Sequence, residues 1–194
     1  MSQSTDQSLP EFWARWTLAT MVGWVLGLVL AIVLSELVVN LVYPKETNLI
    51  VGICLGASVS YCQRFAVRRW LRLGHDYVWG ATIGIGIPFV AIVVLTEIGH
   101  EPGTLLATGL LGGGALTAGV LQLPALRRHA RRVGWWVLAT TVLWTAAWIV
   151  SRWPSGLALI AATFLHGAGS GATLLWLFRG RAPGGPSGRV SPLP

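Results

Sequence analysis

Six long apolar runs, separated by short polar junctions, constrain the fold of this chain more than any other feature. A helix needs about 20 apolar residues to cross the hydrocarbon core of a bilayer, and each run reaches that length within the usual range. A soluble protein of 194 residues with 54% hydrophobic and 11% charged residues would lack the polar side chains to cover its own surface. The sequence therefore predicts an integral membrane protein that crosses the bilayer several times.

The runs are expected to form helices, which makes the predicted fold class all-α. An open strand in lipid would leave backbone N–H and C=O groups unpaired, and the runs lack the alternation that a barrel needs. We predict a transmembrane domain over 17–178, a cytoplasmic segment 1–16 before it and a disordered cytoplasmic tail 179–194 after it. The predicted spans are 17–39, 48–66, 78–98, 104–126, 134–150 and 155–178.

Positive charge lies at every second junction, which predicts the orientation of the chain. The other junctions carry Lys45, Arg152 and, around 100–103, neither Lys nor Arg. By the positive-inside rule both termini and the arginine-rich junctions are cytoplasmic. A composition rich in Arg and nearly free of Lys further favours a bacterial cytoplasmic (inner) membrane. The arginines at these junctions are Arg64, Arg68, Arg69, Arg72, Arg127, Arg128, Arg131, Arg132, Arg179, Arg181 and Arg189.

The net charge of +7 follows from this topology and does not predict a nucleic-acid partner. Nucleic-acid binding needs a basic soluble surface with aromatic residues that stack on bases, whereas these arginines lie at membrane ends. No metal or other cofactor is expected, because the histidines are scattered and Cys54 and Cys62 form no zinc pattern with them. The expected partners are the lipid bilayer and either further copies of the chain or a larger membrane complex.

A weak internal repeat divides the chain into three tandem helical hairpins of about 60 residues. Trp16-Thr-Leu-Ala-Thr20 recurs as Trp136-Val-Leu-Ala-Thr140 at an offset of 120 residues. Tyr77-Val-Trp-Gly-Ala81 stands between them, at an offset of 61 from the first copy. Gln63, with an arginine pair behind it, recurs as Gln122 at an offset of 59. Tandem repetition of one supersecondary unit predicts a pseudo-threefold arrangement.

Glycine pairs four residues apart occur in five of the six spans and predict close helix contacts. Small residues at this spacing let two helix backbones approach each other. Contacts inside one subunit are the main expectation, and a homodimer through one of these faces is the alternative. The pairs are Gly23/Gly27, Gly52/Gly56, Gly80/Gly84, Gly109/Gly113 and Gly167/Gly171.

Ionisable and amide side chains within the spans are the candidate functional residues, because their burial in lipid is costly. His166 lies in the middle of the sixth span, and Glu36 and Glu97 lie 61 residues apart near the outer ends of their spans. With Gln63 and Gln122 they form a hypothetical pathway for a substrate or a proton. The structural alternatives are interhelical hydrogen bonds for the histidine and the glutamines and interfacial water for the glutamates.

The chain holds 11 tryptophans, and their depth suggests two roles. Those near the ends of spans, among them Trp16, Trp136 and Trp153, are expected to form aromatic belts at the membrane interfaces. Trp24 and Trp144 lie deeper, where they either pack in the core or line a pocket for a pigment or quinone.

The repeated pattern of small residues, Gln and a following Arg pair resembles a group of uncharacterised bacterial polytopic membrane proteins, over most of the chain from Trp16 to Arg179. That resemblance describes packing and topology and implies no activity. In size and span count the chain is also similar to the substrate-binding membrane subunits of energy-coupling-factor vitamin transporters, without a shared motif. Gly56-Ala-Ser58 and His166-Gly-Ala-Gly169 are similar to the serine and histidine helices of rhomboid proteases, although Val59 replaces a glycine of that family.

Together these features predict a membrane protein that is not an enzyme. The favoured hypothesis is a small transporter or channel-like protein for a solute, a proton or a cation. The alternative is a non-catalytic accessory or scaffold subunit of a larger membrane complex, packed through its glycine faces and tryptophans. An intramembrane serine hydrolase built on Ser58 and His166 is a remote alternative.

Overall fold

The computed structural model describes residues 8–39, 47–130 and 132–178, and the regular structure in these ranges is entirely α-helical. Six helices follow one another, and each corresponds to one predicted span. The predicted all-α fold is therefore confirmed for the described residues. The helices are α1 (Ser8–Val39), α2 (Thr47–Val67), α3 (His75–Glu97), α4 (Thr104–Arg127), α5 (Gly134–Ser151) and α6 (Gly156–Phe178).

The first helix begins earlier than the first predicted span. α1 starts at Ser8 rather than at residue 17, so the described part of the predicted segment 1–16 is helical. The reason is tertiary packing: Phe12 and Trp16 are buried in the core, which extends the helix toward the N-terminus. Residues 1–7 and the predicted tail 179–194 lie outside the described residues.

All six helices are long and apolar enough to cross a membrane. Only 17% to 44% of the most apolar window of each helix is buried inside the protein, so most apolar side chains face outward. In water this exposure would be unfavourable by about 25 cal/mol for each Å² of apolar surface. Contact with lipid removes that penalty, and the fold is that of a multi-pass membrane protein.

The helices form a closed ring. Each helix contacts its neighbours in the sequence, and α1 also contacts α6. Consecutive helices are antiparallel: the Glu11 carboxylate at the start of α1 lies 3.8 Å from the Arg69 guanidinium beyond α2. Likewise, the Asp76 carboxylate at the start of α3 lies 3.4 Å from the Arg128 guanidinium beyond α4. One end of the ring, termed the arginine end, thus carries the starts of α1, α3 and α5 and the ends of α2, α4 and α6; the other is the opposite end.

Glycines let neighbouring helices of the ring approach closely. A Cβ added to Gly23 on α1 would lie 2.5 Å from Cα of Val59 on α2, and one added to Gly56 on α2 would lie 2.8 Å from Cα of Thr82 on α3. Equivalent contacts join α3 to α4 and α6 to α1. A larger residue at such a position would force two backbones apart. The predicted glycines that face a neighbouring backbone in this way are Gly23, Gly27, Gly56, Gly80, Gly84 and Gly167, whereas Gly52 and Gly171 face the side chains of Phe89 and Trp16.

The Gly109/Gly113 pair on α4 makes no such contact. Within the described part of the chain, no atom of another helix lies within 4 Å of a Cβ placed at either residue, and both glycines are exposed. Helix packing inside the subunit is therefore not observed for this pair, and contact with another subunit stays a prediction. The physical reason is that a spacing of four residues defines a shared helix face but not the neighbour that this face meets.

Candidate functional site

Three aromatic side chains close the interior of the ring at the arginine end. Trp16 of α1, Tyr77 of α3 and Trp136 of α5 are all buried, and we call them the aromatic plug. The Trp16 ring centroid lies 6.5 Å from that of Tyr77 and 6.1 Å from that of Trp136, with both pairs edge to face. The position of Trp16 and Trp136 near the ends of spans predicts an aromatic belt at the membrane interface. Trp16 and Trp136 instead fill the core.

Two members of the plug donate hydrogen bonds to glutamines on the preceding helix. The Tyr77 hydroxyl donates to Oε1 of Gln63 on α2 at 2.8 Å. The Trp136 indole N–H donates to Oε1 of Gln122 on α4 at 2.9 Å. The Tyr77 and Gln122 side chains both border the same small cavity, where the two pairs lie side by side. Both glutamines are buried, and these bonds satisfy side-chain groups whose burial in a membrane interior would otherwise be costly.

The third member of the plug, Trp16, donates a hydrogen bond from α1 to α6, where the ring closes. Trp16 Nε1 donates to Oγ of Ser170 on α6 at 2.9 Å, and the Ser170 hydroxyl donates to the main-chain oxygen of His166 at 2.6 Å. Trp16 is also linked to α2 through Thr20. Nε2 of Gln63 donates to Oγ1 of Thr20 at 2.9 Å, and the Thr20 hydroxyl donates to the Trp16 carbonyl. The polar layer around the plug thus includes side chains from all six helices.

His166 lies next to this layer, toward the opposite end, and two indoles hold it. Trp24 Nε1 on α1 donates to His166 Nδ1 on α6 at 3.2 Å. The Trp144 ring of α5 packs against the imidazole with 4.7 Å between ring centroids. Because an indole N–H can only donate, Nδ1 is the acceptor and the neutral imidazole carries its proton on Nε2. The Nε2–H group remains available to a further acceptor.

A small cavity with several polar groups in its wall lies between His166 and the glutamines. Its volume is about 20 Å³, and its walls include Gln63, Tyr77, Gln122, Thr140 and His166. The buried Oγ1 of Thr140 has no hydrogen-bond partner among the described residues. A polar space of this size holds about one water molecule when two or more polar groups surround it. The Thr140 hydroxyl and the His166 Nε2–H can supply two of those groups, so we expect one ordered water here.

A larger apolar cavity occupies the interior of the ring toward the opposite end. Its volume is about 370 Å³, which lies within the range of small-molecule sites. Ile85 and Trp144 border both cavities and therefore separate them. All six helices contribute to its wall, in order along the chain through Trp24, Leu55, Phe89, Leu111, Trp144 and Leu159.

The structure brings together three of the five residues of the predicted pathway. Gln63, Gln122 and His166 all border the small cavity. Glu36 and Glu97 are exposed side chains and border neither cavity. The two carboxylates therefore do not share a site with the histidine.

Ser58 and His166 do not come together, and no metal-binding cluster is found within the described ranges. Ser58 lies in a groove on the outer surface together with Leu26 and Tyr61, whereas His166 is buried at the centre of the ring. A nucleophile and its base must come within hydrogen-bonding distance, so these two residues form no such pair here. Among the described residues, no three His, Cys, Asp or Glu side chains lie close enough to hold a metal ion.

Sequence reasoning did not identify Thr20, Tyr77, Thr140 and Ser170 as site residues. A signal existed for Tyr77, because each glutamine is followed by its aromatic partner after the same separation of 14 residues. No such signal exists for Ser170, since α6 carries Leu174 where the repeat would place a glutamine.

No family model matches this chain, and no match is found among the curated proteins or the solved structures. Its function must therefore be inferred from the site itself. The most informative features are the two cavities and the plug that closes the arginine end.

Proposed function

We propose that this protein binds a small solute inside the membrane, either as a transporter or as the solute-binding membrane subunit of one. The observation that carries the proposal is the cavity of about 370 Å³ to which all six helices contribute. Protein interiors are normally packed to crystal-like density. An apolar space that stayed unfilled would cost free energy, because the side chains around it lose packing contacts. A bound solute offsets that cost.

The plug gives the cavity a closed end, as a transporter requires. Solute in the cavity meets the rings of Trp16, Tyr77 and Trp136 before it reaches the arginine end. Each hydrogen bond from these rings joins two different helices. A rigid-body shift of one helical hairpin against the others can break such bonds together. The same contacts can thus close the path in one state and open it in another.

The positions of the carboxylates favour an organic solute over a metal cation. A cation pathway through the membrane is normally lined by carboxylates, which compensate the charge of the ion. Glu36 and Glu97 border neither cavity. Among the described residues that line the large cavity there is no Asp or Glu at all.

The scaffold alternative keeps one supporting observation. Of the predicted glycine pairs, four are used in contacts within the ring, and Gly109/Gly113 faces outward. An outward pair of this kind is available to a partner helix. If Gly113→Leu released a stoichiometric protein partner and left solute binding unchanged, the scaffold role would be favoured.

We also propose a finer topology of three tandem hairpins, with both termini on the cytoplasmic side of a bacterial inner membrane. The recurrence of the glutamine–aromatic bond in Gln63–Tyr77 and Gln122–Trp136 supports the repeat. The clustering of described arginines at one end of the ring supports the orientation by the positive-inside rule.

The orientation is tested with two exposed histidines at the two ends of the ring. In a variant without Cys54 and Cys62, a membrane-impermeant maleimide should label His100→Cys in intact cells. His75→Cys, at the arginine end, should be labelled only after the membrane is permeabilised. The reverse pattern would overturn the proposed orientation.

Solute binding is tested with two substitutions on α4. Leu111 lines the large cavity, whereas Leu116 is 48% exposed on the outer surface. Leu111→Trp should fill the cavity, and Leu116→Trp is the matched control. We would purify both variants and the native chain from membranes and quantify the small molecules that accompany them by mass spectrometry. A compound retained by the native chain and by Leu116→Trp should be lost from Leu111→Trp, and identical profiles for all three would refute the proposal.

A further inference from the structure

The wall of the large cavity carries no charged side chain. Among the described residues that line it, the Ser151 hydroxyl and the indole N–H groups are the only polar side-chain atoms. The N–H group of Trp24 is already donated to His166, and the Ser151 hydroxyl to the carbonyl of Trp148. An ion placed in such a site would lose its hydration without gaining a counter-charge, which is strongly unfavourable. The cavity therefore selects an uncharged ligand.

Aromatic rings form much of the same wall. The rings of Trp24 and Trp144 lie 4.9 Å apart with an angle of 31° between their planes. Phe89 and Trp148 add two further rings. Trp24 and Trp144 already contact each other, and the parts of the four rings that border the cavity favour offset or edge-to-face contact with another flat ring system. The geometry thus suits a planar, conjugated ligand better than a compact aliphatic one.

A second apolar space lies just outside the ring, between α1 and α6. This lateral groove has a volume of about 300 Å³ and is lined by Val22 and Ile160, which are 43% and 55% exposed. Trp24 and Leu159 border both the lateral groove and the large cavity. Two side chains therefore separate the cavity from the surface that contacts lipid.

The seam between α1 and α6 differs from the other five because no junction between consecutive helices spans it. The indole bonds of Trp13 and Trp16 hold it at the arginine end, and toward the opposite end its described residues carry the single bond from Trp24 to His166. Every other pair of neighbouring helices is consecutive in the sequence and joined by a short junction, whereas α1 and α6 are the first and last helices. A small separation of α1 from α6 therefore strains no connecting segment.

We infer that the large cavity takes an uncharged, lipid-soluble ligand with a flat ring system, which enters from the bilayer between α1 and α6, past Trp24 and Leu159. This inference rests on the proposed function and specifies its ligand class. A lipid-soluble compound concentrates in the bilayer, so a passage that faces lipid serves it better than one that faces water.

The ligand class is tested with two probes that share one ring system. Naphthol is uncharged at neutral pH, and naphthalene sulfonate carries a permanent negative charge. Equilibrium dialysis of the full chain in lipid nanodiscs, corrected with empty nanodiscs, should show naphthol bound at about one molecule per protein and at least about tenfold more tightly than the sulfonate. Equal affinities, or no naphthol above the lipid background, would overturn the ligand class.

The route is tested with two substitutions on α6. Ile160 lines the lateral groove but not the cavity, and Phe164 is similarly exposed but lines neither. Stopped-flow naphthol fluorescence, excited where tryptophan does not absorb, gives the binding rates. Ile160→Trp should slow association and dissociation by the same factor, about tenfold, and leave the affinity unchanged. Phe164→Trp, the control, should leave both rates unchanged. If Ile160→Trp and Phe164→Trp bound and released naphthol at the same rates, lateral entry would be excluded.

The outcomes separate this inference from the proposed function. If Leu111→Trp loses a compound that Leu116→Trp retains, but that compound is charged or naphthol does not bind, the cavity is a solute site and the inferred ligand class is wrong. If no compound distinguishes the two variants, the proposed function and the inference fail together.

Discussion

Tryptophans line the interior of the ring both in the half nearer the arginine end, termed the arginine half, and in the half nearer the opposite end. The space between their side chains is very different in the two halves. In the arginine half, Trp16 and Trp136 meet near the centre of the ring and donate to side chains on neighbouring helices. In the other half, Trp144 and Trp148 stand around a cavity of about 370 Å³. The two halves differ in what surrounds these rings. In the arginine half Trp16 and Trp136 belong to a large buried cluster with Phe12, Leu126 and Leu174, whereas the rings of the other half border open space.

This contrast has an energetic side. In the arginine half, Trp16, Tyr77 and Trp136 each donate to an acceptor on another helix, so the loss of one partner leaves the other unsatisfied. In the cavity half, side chains already border open space, and their loss enlarges a cavity rather than creating one. We therefore expect equivalent substitutions to be costly in the first half and mild in the second.

The largest effect is expected for truncation of an indole in the plug. Trp16→Ala should lower the free energy of unfolding by about 3–5 kcal/mol, because it leaves a cavity in a packed site and removes the donor to Ser170. Trp148→Ala, on the cavity wall, should lower it by about 1 kcal/mol. Denaturant unfolding of both variants in one detergent measures the difference. Similar losses at the two positions would show that the halves are equally packed.

A smaller effect is expected for the loss of one glutamine. Gln122→Leu keeps the approximate volume but leaves the Trp136 N–H without its acceptor, which should destabilise the protein by about 1–3 kcal/mol. Ser151→Ala is the control on the cavity wall and should change stability by less than about 0.5 kcal/mol.

A double-mutant cycle isolates the hydrogen bond in this prediction. Trp136→Phe removes the orphaned donor, so the variant with both substitutions should be less destabilised than the sum of the two single variants. Strict additivity would mean that the bond between Gln122 and Trp136 contributes nothing to stability.

The smallest effect is expected at the boundary between the halves. Thr140→Val replaces the hydroxyl that borders the 20 Å³ cavity with a methyl group of nearly equal size. If that hydroxyl binds an ordered water shared with His166, the substitution should cost about 1 kcal/mol. Thermal unfolding in nanodiscs is sensitive enough to detect it. A stabilised variant would instead show that the hydroxyl is buried without any partner.

The spans could be predicted from the sequence because one physical rule governs them. A helix that crosses lipid needs a long apolar run, and no tertiary contact is needed to recognise it. The start of α1 was missed for the complementary reason: Phe12 extends the helix through its burial in the core, which depends on the other helices.

The interior of the ring was harder to predict because the same residue types serve on both faces of a membrane helix. Trp16 and Trp153 both lie near the ends of spans, yet Trp16 is fully buried and Trp153 is 72% exposed. Gly84 and Gly113 have the same spacing to a partner glycine, yet only Gly84 meets another helix. In lipid the outward face is as apolar as the inward one, so hydropathy does not distinguish them.

The contact between α1 and α6 also has a consequence for how the protein is made. Three indole N–H groups of α1 bond to α6, from Trp13 to Ala168, from Trp16 to Ser170 and from Trp24 to His166. These bonds span 142 to 155 residues of sequence. During synthesis α1 enters the membrane before the other five described helices, so these three donors lack their acceptors until α6 is inserted. Closure of the ring thus has to follow the insertion of all six helices, and a nascent chain interrupted before α6 would present an open seam to the chaperones and proteases of the membrane.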